Sequence, residues 1–169
     1  MRWVTTERLQ IDRLASAWLI RRFIDPEAYF TFVPRETKAD RVTDGTPFHL
    51  EGAALAHHHG RSTFEAILSA YHLADTDPTL AELGEIVRAA DALHGPVAFR
   101  GKPVREALPA DAPPETAGLQ LLLHGVRLQS PDDESALTKG ATVMDAAYAA
   151  LQARIDRAGD SQAARRGAG

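Results

Sequence analysis

The chain has 169 residues, 44% of them hydrophobic and 25% charged, and it contains no cysteine. Length and composition fit one ordinary globular domain, and the missing cysteine excludes disulfides, thiolate metal sites and thiol catalysis. A net charge of −4 leaves no electrostatic footprint for nucleic acid, and arginine outnumbers lysine 16 to 3, so an anion site here would be built from guanidinium forks.

In chain order, residues 2–6 and 29–33 (YFTFV) are short and rich in β-branched and aromatic side chains, and read as strands. Between them Ile11, Leu14, Ala15, Trp18, Leu19 and Ile24 recur at helical spacing. Asp25-Pro26 stops that helix, since proline disfavours helical geometry in the residue before it. The segment FHLEGAALAHH (48–58) reads as one or two strands broken at Gly52. Ser62 and Glu65 are spaced as a capping box, opening a helix with Phe64, Ile67, Leu68 and Tyr71 on its apolar face. Asp77-Pro78 opens another, with Leu80, Leu83, Ile86, Val87 and Ala90 as its stripe. Residues 96–114 read as a long loop, and 115–124 as a helix around Leu119, Leu122 and Leu123. A last helix follows Ser130-Pro131 and carries Leu137, Met144, Tyr148, Leu151 and Ile155. The expected fold is α+β: a sheet of about three strands near the N-terminus, packed with a mainly helical remainder. One domain is expected over 1–158, with 159–169 as a disordered tail.

The N-terminus lacks the apolar core of a secretion signal. LASAWLI (14–20) is too short to span a bilayer, so a cytoplasmic protein without membrane partners is expected.

Chemistry concentrates in four places. LAHHHGRSTFEA (55–66) holds three of the seven histidines. If 54–59 is a strand, His57 and His59 share one face and form a two-ligand metal start, with His58 on the other; the plainer reading is a polar turn. Asp91 and His94 lie three apart near a helix C-terminus and can share one metal. The helix dipole explains His94, but it disfavours Asp91 there, so something else must hold that carboxylate. Asp12 reads as the N-terminal cap of the first helix. Arg13, Arg21 and Arg22 are either a solvated helical face or guanidiniums gripping an oxyanion. No P-loop, G-x-S-x-G, Rossmann or H-E-x-x-H pattern is present.

RWVTTERLQIDRLASAWLIRRFIDPEAYFTFVP (2–34) closely resembles the start of the C-terminal domain of the chromate-resistance ChrB family. That pattern runs W-V-T-R-x-x-P-K-I-D-R-x-A-C-x-W-L-I-x-R-F-I-D, then F-x-F-V-P. TPFHLEGAALAHHHGRSTFEAIL (46–68) is similar to the family's T-P-F-D-x-x-x-V-x-x-x-H…R-C-S/T-F-D, and LAELGEIVRAAD (80–91) to its L-x-x-I-V-R-x-A-D. Carried over residue by residue, the resemblance marks Asp12, Arg13, Arg21, Arg22, His57, Arg61 and Asp91. Family cysteines fall on Ser16 and Ser62, so thiol-based reduction or sensing of chromate is not expected. Longer members carry a further N-terminal domain; this chain is expected to be a stand-alone member, without that domain's DNA-binding role.

What the resemblance implies is a metal- or oxyanion-binding domain in bacterial chromate or metal stress. The expected metal is divalent, zinc or iron, with His57 and Asp91 as ligands and His59 or His94 completing the shell. Arg13, Arg21 and Arg61 are the expected contacts of chromate or another small oxyanion. Two alternatives stay open: a small metal-dependent enzyme, hydrolytic or redox, on the same His/Asp site, and a non-catalytic interaction module using the last helix, with self-association to a homo-oligomer.

Overall fold

A computed structural model describes residues 1–58, 60–92 and 108–167, with side chains described as far as Ser161. His59, His94 and most of the expected 96–114 loop lie outside the described residues.

The fold is α+β. β1 (Arg2–Thr6) is the centre of a three-stranded parallel sheet, with β2 (Tyr29–Val33) on one side and β3 (Thr46–Pro47) on the other. Trp3 sits opposite Phe30 on β2 and Thr46 on β3. Parallel neighbours need a crossover, and between β1 and β2 it is α1 (Ile11–Leu19), which continues as a π-helical turn over Ile20–Ile24.

α1 is the axis of the molecule. All nine of its residues are buried, as expected of a helix surrounded on every side. Around it pack α2 (Thr63–Ala70), α3 (Pro78–Asp91), α4 (Thr116–Gln129) and α5 (Asp133–Gly167). Trp18 stacks on Phe64 of α2 with ring centroids 6.4 Å apart and meets Tyr148 of α5 at 5.9 Å. Two glycines let helices approach: a Cβ on Gly140 would lie 3.3 Å from Leu14, and one on Gly84 3.2 Å from Leu68.

Several expectations need correction. Residues 48–58 are not strands. His49 and Gly52 take left-handed backbone, at φ 57° and 82°, and fold the segment into turns joined by the Phe48–Leu55 bridge. The alternation that would put His57 and His59 on one strand face therefore does not apply. Tyr71 and Leu122 are exposed rather than core. The 159–169 tail is instead helical as far as Gly167, because alanine, glutamine and arginine there are strong helix formers. Leu137, Met144, Tyr148 and Leu151 are buried in the core, so the last helix does not offer them to a partner.

Candidate metal centre

The site begins with a buried carboxylate. Asp12 lies in the first turn of α1 with no solvent exposure, and a buried charge must be paired or hydrogen-bonded. It does not cap its own helix: α1 starts at Gln10 without a side-chain cap. Its oxygens instead receive the first amides of α2, Thr63 N at 2.8 Å on Oδ2 and Phe64 N at 2.9 Å on Oδ1. Ser16 Oγ reaches Oδ1 from one turn along, at 3.5 Å. Burial pushes this carboxyl up. The hydrogen bond and charge of His49, with the Phe64 and Thr63 amides, more than reverse that and hold it below its ordinary value.

The α2 N-terminus is present to be used because Ser62 and Glu65 form the expected capping box: Ser62 Oγ accepts from Glu65 N at 3.2 Å, and Glu65 Oε2 accepts from Ser62 N at 2.8 Å. Glu65 also faces Arg88 at 3.3 Å.

Two imidazoles converge on Asp12. His49 Nδ1 lies 3.3 Å from Oδ2 and His57 Nδ1 3.6 Å from the same oxygen. Nδ1 of His49 also shares a 2.7 Å hydrogen bond with Thr63 Oγ1, and the rings meet edge-on with centroids 5.6 Å apart. Asp12, His49 and His57 each offer a ligand atom within 4.8 Å of the others, and among the described residues they form the one such cluster. A tetrahedral ion with bonds near 2 Å needs ligand atoms about 3.3 Å apart. The two measured separations to Asp12 already approach that edge.

Asp91 ends α3 and supplies what the sequence left unexplained. Its Oδ1 accepts the Asp12 backbone amide at 3.3 Å, and its Oδ2 lies 3.5 Å from His57 Nε2. The acid disfavoured by the end of its own helix thus sits at the positive start of α1. His57 has Asp12 on one ring nitrogen and Asp91 on the other. That is the arrangement of a ligating histidine whose second nitrogen donates to a carboxylate.

His57 and Asp91 line a cleft of about 690 Å³, together with Arg61, Arg88, Glu85 and Asp111. Of the expected anion contacts, Arg61 is there. Arg13 is buried, bonded to Thr6 Oγ1 and, at 2.8 Å, to the Arg8 carbonyl. Arg21 lines a different groove, over Phe30 and bonded to the Ala28 carbonyl. His59 and His94 lie outside the described residues.

Sequence reasoning missed His49. The one signal was the family pattern T-P-F-D, which places aspartate, another metal-ligand type, where this chain has His49. Of the positions of the family cysteines, Ser16 bonds to Asp12 and Ser62 caps α2, the helix whose first amides Asp12 accepts.

The family model described as ChrB, C-terminal domain, matches residues 3–151. The chain belongs to the ChrB C-terminal domain family. All four site residues fall inside the match. A curated relative, Protein ChrB of Cupriavidus metallidurans, is 36% identical over 146 residues, covering 86% of this chain and 39% of the relative. The chain therefore spans about two fifths of that relative's length. No solved structure matches. No helix among the described residues is long and apolar enough to cross a membrane.

Proposed function

We propose that this ChrB C-terminal domain binds one divalent transition-metal ion, and that it does so in a bacterial chromate or metal stress response. Asp12, His49 and His57 are the ligands, and Asp91 orients His57 from behind. The observation that carries the reading is the convergence of the two Nδ1 atoms on a single oxygen of a fully buried carboxylate. Two imidazoles and one carboxylate suit zinc or ferrous iron. When the ion binds, the Thr63 hydroxyl gives up its hydrogen bond with His49, since Nδ1 cannot serve both.

Three protein ligands leave a coordination position open, and His57 borders the cleft that carries Arg61 and Arg88. That favours a second reading, a metal-dependent enzyme or an oxyanion-binding site with chromate or a similar anion beside the ion. The metal would supply Lewis acidity there; the chain's own residues would position the anion through guanidinium groups.

The test is metal analysis and calorimetric titration on protein purified without a histidine tag. The expected result is one equivalent of zinc or iron per chain. His49→Ala and His57→Ala should each weaken binding about 100-fold or more. His57 is half-exposed (52%), so its loss leaves folding within about 0.5 kcal/mol. No stoichiometric metal, or binding unchanged in both variants, would overturn the proposal.

A further inference from the structure

At the opposite end of α1 from Asp12, a second groove opens where the π-helical turn meets β2 and α5. Its volume is about 250 Å³, and it shares no lining residue with the cleft beside His57. Sites for drug-sized molecules run from about 300 to 1,000 Å³, so this space suits a smaller one. The floor is apolar: Ala17 of α1, with Leu137 and Ala141 of α5. The two alanines leave room that a longer side chain would fill.

Each charge on the wall is answered within the chain except one. Arg22 pairs with Asp145 Oδ1 at 2.7 Å, and Trp18 Nε1 donates to the same oxygen at 2.8 Å. Arg21 has the Ala28 carbonyl at 3.3 Å and the Phe30 ring at 5.0 Å. Among the described residues no carboxylate pairs with it, although it is the less exposed of the two arginines. A partly buried cation is ordinarily paired. The Ala28 carbonyl takes one of five guanidinium N–H donors, so a two-oxygen grip on a carboxylate remains available. Ring and carbonyl meanwhile hold the group in place over the groove. Two arginines against one aspartate leave a single positive charge here. Both arginines leave the chain within the π-turn, a helix distortion that recurs at functional sites.

We propose that this groove binds a small organic monocarboxylate with a compact apolar body. Its carboxylate lies on Arg21 and its body on the floor between Ala17 and Ala141. An inorganic oxyanion fits less well, because the floor would remove its water without returning hydrogen bonds. The groove is separate from the metal cluster, and the proposal does not rest on the metal reading.

Titration of the metal-free full chain with sodium benzoate, followed by NMR of the indole N–H groups, tests it. The chain has two tryptophans. Trp18 lines the groove, while Trp3 is bonded to Asp25 outside it. The Trp18 signal should shift saturably, with a Kd of about 1 mM or tighter, and the Trp3 signal should not follow. Benzamide has the shape without the charge, and acetate the charge without the body. Each should bind at least about tenfold more weakly. Arg21→Gln should weaken benzoate at least about tenfold. Ala141→Leu fills the floor, leaves Arg21 in place and should do the same; the Trp3 signal reports in both variants that the fold is kept. A Trp18 signal that does not move by about 20 mM benzoate, shifts that benzamide reproduces, or binding that survives either variant overturns the proposal.

Discussion

Asp12 is asked to do two things at once. It accepts both first amides of α2 and offers a lone pair to the His49–His57 pair. An asparagine there can accept from one amide but turns its own NH2 toward the other. Leaving a buried donor without an acceptor costs about 1–3 kcal/mol. Asp12→Asn should therefore lower the urea-unfolding free energy by about that much and abolish metal binding as well. A variant that loses only metal would show that the carboxylate does not hold α2. Tyr148 carries a different load. It is buried, and burial together with its 2.6 Å hydrogen bond to Asp77 pushes its phenol up to about 12. Below pH 10 the proton is held in both folded and unfolded chains, and the contribution is fully present. Between about 10 and 12 only the fold retains the proton, so stability falls as pH rises, by up to about 2–3 kcal/mol. Denaturation of wild type and Tyr148→Phe at pH 9 and pH 11 should show the steeper loss in wild type; equal losses would remove Tyr148 from the account.

At the scale of elements, what could be read in advance is what local chemistry determines. The Ser62–Glu65 box and the Asp77 cap were legible because each is a short-range contest for helix-terminal amides. Ser62→Ala should cost about 1 kcal/mol by urea denaturation, with Ser62→Asp retaining most of it. The buried stripe of α3 was legible from its period. The break at Gly52 was legible from the glycine, but the turn at His49 was not, because FHLEGAALAHH has the composition of a strand and a left-handed histidine gives no comparable warning. Asp12 was misread for a related reason: its position fits a cap of its own helix, and only tertiary packing hands it to α2. Parallel pairing in the sheet also follows from packing, since a two-residue strand at Thr46–Pro47 has too little sequence to announce a direction. Packing also sets the use of glycine. At Gly140 the methyl of an alanine would press on Leu14, itself buried to 2%. That opposes the roughly 1 kcal/mol gain in helix propensity. Gly140→Ala should come out destabilising by about 1 kcal/mol, and a gain would mean that Leu14 can yield.

For the whole molecule, the candidate metal centre is also a fastening. Asp12 belongs to the central helix, His49 and His57 to the turn-rich segment after β3, and the Thr63 amide to α2, while Asp91 brings in the end of α3. Among the described residues no β-ladder secures residues 48–58 to α1; side chains do, His49 and His57 among them, while the segment's isolated bridges run to Lys38, to Arg61 and within itself. A ligand that binds only the folded state stabilises it by RT ln(1 + [L]/Kd), about 2.7 kcal/mol at a hundredfold excess over Kd. For a chain of this size that corresponds to roughly 5–10 °C in the unfolding temperature. The location of the effect is as informative as its size. Because the ion would tie a segment without regular secondary structure to an already buried helix, hydrogen exchange should slow most at residues 48–58 and at the first turn of α2. It should change little in α5, whose amides are closed by their own helix. Chelation should reverse both changes. His49→Ala should remove both, and should also lower the metal-independent unfolding temperature, because Asp12 loses the partner that offsets its burial. If zinc or iron raised the unfolding temperature equally in that variant, the ion would be binding elsewhere, and the convergence at Asp12 would be a structural ion-pair network alone.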